Sequence, residues 1–149
     1  MMTSPADRIS DLFYYLAEDD MAQLMSYFRF RHLPKGEILW REGEPSEFIA
    51  FVVSGKLEAR KETEFKGKQV IIGVISDGSI VGDAAILDRR PVGATVLAMQ
   101  DSALLCIAAD DFDRLLEEQP ILGMKLLKSM MLIMSTRMRH MAGRLAAIF

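Results

Sequence analysis

Apolar residues along this chain change period twice, and the changes mark out its parts. Over residues 8–16, Ile9, Leu12, Phe13 and Leu16 fall on one helical face, and over residues 20–28 Met21, Leu24, Met25 and Phe28 do the same. The acidic run Glu18-Asp19-Asp20 between them is placed to cap the second helix and favour its N-terminal dipole. From Phe28 the period becomes two. Short apolar or alternating runs are separated by Pro34-Lys35-Gly36, Glu42-Gly43-Glu44-Pro45-Ser46, Ser54-Gly55, Lys66-Gly67-Lys68 and Asp77-Gly78-Ser79. The pattern predicts strands over residues 28–33, 37–41, 48–53, 56–62, 68–75, 80–81, 92–98 and 102–107, and many short strands with regular turns read as a sandwich or barrel. Gly36, Gly43 and Gly55 are expected in turns that need a positive φ or a sharp bend.

Helical spacing returns after Ile107. Asp110 and Asp111 open a helix through Glu118, ended by Pro120, and a much longer pattern starts at Ile121. Within it Leu127, Met131, Met134, Met138, Met141, Leu145 and Ile148 recur at steps of four and three, the seam of a two-stranded coiled coil. A second stripe, Leu122, Leu126, Met130 and Ile133, is placed to pack on the chain's own strands. Two apolar faces imply two partners. A helix folded wholly onto its own domain, or a basic amphipathic segment lying on a membrane or a partner, would carry the same residues. The segment has no acid to pair with Lys128, Arg137 or Arg144, so charge does not specify a pairing, and its soft methionines allow a shift of register.

Composition narrows the class. A chain of 149 residues, half of them hydrophobic, suits one compact domain and excludes wholesale disorder. Net charge is −3, unevenly spread: residues 121–149 hold five Lys or Arg and no acid, whereas the first 120 hold 13 basic and 21 acidic residues. The acidic body argues against general nucleic-acid binding. No apolar run of signal-peptide or membrane-spanning type occurs, so the expected compartment is the cytoplasm. Cys106, the one cysteine, sits in the apolar run 104–107 and reads as a small buried hydrophobe. An enzyme fits poorly: His32 and His140 lie in different elements, no nucleophile motif or metal-ligand spacing is present, and capping explains Asp19-Asp20 and Asp110-Asp111. No cofactor or metal is expected, nor, if this is the full protein, a DNA-reading helix-turn-helix after the long helix.

The chemistry concentrates in residues 80–96, Ile-Val-Gly-Asp-Ala-Ala-Ile-Leu-Asp-Arg-Arg-Pro-Val-Gly-Ala-Thr-Val. Gly82 lets the backbone approach a ligand, and with Asp83, Ala84 and Ala85 opening a short helix it would present unpaired N–H groups to an anion. A carboxylate at Asp83 suits a sugar hydroxyl. The layout resembles the signature of the cyclic-nucleotide-binding domain family, in which a Gly-Glu turn is followed nine residues after the Glu by an Arg opening an Arg-(Ala/Ser)-Ala-Thr-Val strand. Residues 33–37, 41–46 and 51–57 resemble that domain's early strands in order and spacing. The resemblance implies an α+β domain: an antiparallel, jelly-roll-like β-roll of about eight strands with N-terminal helices over residues 1–120, and a long C-terminal helix over residues 121–149.

It also implies a regulatory sensor with cyclic AMP as default ligand, and a homodimer through Leu127, Met131, Met134, Met138, Met141 and Leu145. The ligand set it implies is Gly82, Asp83, Ala84, Ala85, Val92, Gly93, Ala94 and Thr95, with Ile75 at the base end of the pocket. Ile75 would equally serve as plain core, on the strand face it shares with Gly73 and opposite Ile72 and Val74. Arg137, beside Thr136 and Met138, falls where the family often has a polar residue near the purine. It either leans into the pocket or stays solvated, and Arg89 and Arg90 offer further cations or a solvated loop tip. The departures are Asp83 for Glu and Val92 for Arg. Charge-assisted hydrogen bonds contribute roughly 1.5–3 kcal/mol each, so the lost arginine should weaken cyclic-phosphate binding by at least roughly ten- to hundredfold. The competing reading is a domain that keeps the fold without the ligand and acts as an interaction module for an unidentified protein partner.

Overall fold

The computed structural model describes residue 13 and residues 15–82 and 87–148. Helix α1 (Glu18–Met25) precedes eight strands: β1 (Arg29–Leu33), β2 (Ile38–Trp40), β3 (Phe48–Ser54), β4 (Lys56–Glu62), β5 (Gln69–Ser76), β6 (Ile80–Val81), β7 (Thr95–Ala98) and β8 (Ser102–Ala108). Helices α2 (Ala109–Glu118) and α3 (Pro120–Ile148) follow. The strands form two antiparallel four-stranded sheets, in the orders β1-β8-β3-β6 and β2-β7-β4-β5. This is the expected jelly-roll-like roll with its long C-terminal helix.

β3 explains how the layers are joined. Its run Ile49 to Val53 is buried on both faces, so the strand reads as continuously apolar rather than alternating. Ile49, Phe51 and Val53 face the helices, where they meet Leu24, Phe28, Leu105, Ile107, Phe112, Leu115, Leu122 and Leu126. Ala50 and Val52 face the other way, into the space between the sheets, with Leu33, Leu57, Ile75, Val96 and Leu104. Phe13, Phe28 and Phe51 lock the helical side, with ring centroids 5.2–5.8 Å apart.

Several boundaries differ from the sequence pattern for identifiable reasons. The helix expected over residues 8–16 lies largely outside the described residues, although Phe13 is fully buried and the Leu16 N–H donates to the Phe13 carbonyl at 3.0 Å. α1 stops at Met25, and Phe28 enters the core from the turn that follows, its N–H on the Met25 carbonyl. Asp20 accepts the Ala17 N–H at 3.1 Å, so the acidic run does cap α1. Asp20 also accepts from Lys125 Nζ at 2.8 Å, tying α1 to α3 and lowering the Asp20 pKa. α2 runs through Glu118 as expected and closes at Gln119, whose non-helical backbone suits the residue before a proline; Pro120 then opens α3 one residue earlier than the pattern places it, where its fixed φ and missing N–H cost nothing.

The strand expected over residues 92–98 begins at Thr95. Val92 instead pairs on both sides with the β2–β3 loop, its N–H on the Glu44 carbonyl and its carbonyl on the Gly43 N–H, both at 2.9 Å. Gly36, Gly43 and Gly55 have φ of 85°, 87° and 111°, as their turns require.

Candidate functional site

A cavity of about 570 Å³ opens where the end of β6, the loop before β7 and the middle of α3 converge. Its floor is apolar: Trp40, Ala59, Ile75, Ile80, Val81, Val92 and Val96. Gly82, Gly93 and Ala94 line one wall, Lys61, Asp88, Arg90 and Pro91 stand around them, and Arg137 comes from α3.

The cassette is shaped by its glycine. Gly82 has φ +86°, and a Cβ there would lie 2.6 Å from the Trp40 ring, so only glycine allows the backbone to pass over the tryptophan. Asp83, Ala84 and Ala85, expected to supply the N–H groups and the carboxylate, lie outside the described residues. Val92 is 6% exposed and offers only an apolar surface, and its backbone groups are already paired.

Thr95 is not at the cavity. It is buried, and its hydroxyl accepts the Glu42 N–H at 3.0 Å, which fixes the β2–β3 loop beside β7. Ile75 does line the cavity and is 2% exposed, so it serves as wall and core together. Ile72, expected on the opposite face of β5, lines the cavity as well. Ala59 is paired with Gly73 and Arg60 with Ile71, so Ile72 falls in a bulge that turns it out of strict alternation.

Arg137, left open between pocket and solvent, is half-buried at the cavity and donates to the Ile80 carbonyl at 3.1 Å. Arg89 turns away and donates to Asp113 of α2 at 2.8 Å. Arg90 stays at the rim, 3.5 Å from Asp88.

Lys61, Trp40 and Asp88 were not anticipated. Lys61 Nζ donates to the Gly93 carbonyl at 2.9 Å and to Glu42 at 3.1 Å, and the latter bond holds the Glu42 carboxyl below its usual pKa. The period of two already places Lys61 on the face of β4 shared by Leu57 and Ala59. Trp40 carried no comparable signal, since its role depends on Gly82 passing over its ring.

On α3, Leu122, Leu126 and Met130 are buried and Ile133 packs against the same core, as the inner stripe predicts. On the outer stripe Leu127, Met131, Met138, Met141 and Leu145 are exposed and Met134 is half-buried. Among the described residues no group of side chains could hold a metal, and no helix is long and apolar enough to cross a membrane. Cys106 is half-buried in β8, and burial pushes its thiol up to about 11.

Together these elements make a two-sheet roll whose glycine turn and following strand share a cavity with a long C-terminal helix. The profile of the cyclic nucleotide-binding domain matches residues 30–119, and the chain belongs to that family. It is 30% identical over 115 residues to a protein carrying a potassium-channel name in Rhodopseudomonas palustris, covering 77% of this chain and 27% of that protein. It is 26% identical over 114 residues to the cyclic AMP receptor protein of Thermus thermophilus, covering 76% and 52%. The chain thus spans about half or less of these relatives. A crystal structure of a cyclic nucleotide-binding domain from Methylobacillus flagellatus superposes with a TM-score of 0.85 at 21% identity, covering 96% of this chain and 83% of that one.

Proposed function

We propose that this domain is a regulatory sensor in which a cyclic nucleotide, cyclic AMP by default, occupies the cavity and changes how α3 packs. The observation that carries the reading is that the glycine turn and α3 face one cavity, so an occupant touches both at once. A ligand shifts such an equilibrium only by its differential affinity for the two arrangements of the helix. The exposed outer stripe of α3 is the surface through which we propose that the arrangement is transmitted, by pairing with a second copy of the chain.

Val92 favours a second reading, a module that keeps the fold without a ligand. Titration with cyclic AMP and cyclic GMP, followed by thermal unfolding and calorimetry, separates the two. A ligand that binds only the native state raises stability by RT ln(1 + [L]/Kd). A rise in Tm with nucleotide is expected, and no shift at millimolar concentration contradicts the sensor reading. Val92→Arg should tighten binding by at least about tenfold, one charge-assisted hydrogen bond's worth.

A further inference from the structure

The charges around the cavity are unequal in how they are already used. Lys61 is held by the Glu42 carboxylate and the Gly93 carbonyl. Arg90 lies beside Asp88, with its side chain 83% exposed. Arg137 alone of the three has no carboxylate partner among the described residues, because its one bond goes to a neutral backbone carbonyl. A carbonyl takes one N–H of a guanidinium that has five and leaves its charge uncompensated. The wall that should carry the compensating charge for an anion presents Val92 instead.

We propose that Arg137 is the anion anchor of this cavity. It holds the oxyanion of the ligand, a phosphate or a carboxylate on a flat apolar body, in place of the arginine that the loop before β7 lacks. The proposal rests on the sensor reading above and deepens it. The apolar body lies on Trp40, Ile75 and Val92, and the anion meets the guanidinium on α3. The charge contact is then made by the mobile partner of the switch rather than by the roll, so occupancy is read by the helix directly, with no relay through the cassette.

The test is isothermal titration of the intact chain and of R137Q, R137K, V92R and the V92R/R137Q double variant. The probes are cyclic AMP, cyclic GMP and 2-naphthoate, an aromatic carboxylate without phosphate, and each variant's Tm is measured alongside. The unmodified chain is expected to bind at least one probe, and whether that probe is a nucleotide or the naphthoate identifies the oxyanion's source. R137Q should weaken that binding by at least about tenfold and R137K by less, because lysine keeps the charge without the fork. V92R should restore the anchor to the roll, so that V92R/R137Q binds cyclic nucleotide within about threefold of V92R, a rescue that a merely structural role for Arg137 would not give. Equal binding by R137Q and the unmodified chain overturns the anchor and leaves the sensor reading standing. Nucleotide binding that appears only with V92R, the unmodified chain taking no probe, overturns the anchor and the sensor reading together and favours the module that keeps the fold without a ligand. If neither the unmodified chain nor V92R takes any probe, the sensor reading falls and the anchor falls with it.

Discussion

Residues 120–130 and 131–148 of α3 form one continuous helix with two different attachments. The first part buries Leu122, Gly123, Leu126, Ser129 and Met130 against α2 and the helix-facing side of β3 and β8. A Cβ at Gly123 would lie 2.6 Å from a Leu116 methyl carbon, so α2 and α3 approach closely there and a larger residue would make the Leu116 side chain turn aside. The second part buries no residue completely. Only Ile133, Met134, Ser135 and Arg137 are half-buried, and Arg137 contributes a hydrogen bond to the roll. A helix of that length is marginal in water without packing. The contrast divides the helix: the core holds its beginning, while a few half-buried side chains and one hydrogen bond to the roll hold the rest, the part that the proposed ligand and second copy would fix.

Substitutions should split along that division. Leu126→Ala removes a fully buried side chain from the core and should cost about 2–5 kcal/mol in urea unfolding, whereas Leu145→Ala on the exposed part should leave monomer stability within about 0.5 kcal/mol. Gly82→Ala forces a side chain into a positive φ against Trp40 and should cost about 1–2 kcal/mol or more while damaging the cavity wall, readable as a lower Tm and weaker ligand binding. The double variant Met138→Asp/Leu145→Asp should leave the fold's Tm nearly unchanged at low concentration but convert a sedimenting dimer to monomer. A chain already monomeric at high micromolar concentration would remove the outer stripe from the account.

The smallest effect lies in β8. Burial raises the Cys106 thiol from 9.0 to about 11, so the folded state favours the neutral form. Its contribution is complete below pH 9.0, the unfolded value, and is lost as pH rises towards about 11. The stability difference between the unmodified chain and Cys106→Ala should therefore narrow or reverse across that window and stay constant between pH 6 and 8.

The fold was legible because local signals agreed. The turns around Gly36, Gly43, Gly55, Gly67 and Gly78 punctuate the strands, and the two faces of β3 account for its unbroken apolar run. The site was legible only where it is local. Gly82, Val92, Gly93 and Ala94 follow from one continuous segment, and Ile75 from its strand face. Trp40 and Lys61 belong to strands distant in sequence and meet the segment only once the sheets are paired. Ile72 depends on a bulge that strict alternation does not anticipate, and Thr95 does not line the cavity: it is buried, and its hydroxyl accepts the Glu42 N–H. Arg137 could be placed on the helix but not rotated, since both a solvated and a pocket-facing arginine satisfy the same spacing.

Amide hydrogen exchange along α3, with and without saturating cyclic nucleotide, tests the division most directly. The account predicts that residues 120–130 exchange only with global unfolding in both states, while residues 131–148 exchange faster without ligand and gain protection when it binds. Equal protection of the two parts, unchanged by ligand, would contradict it.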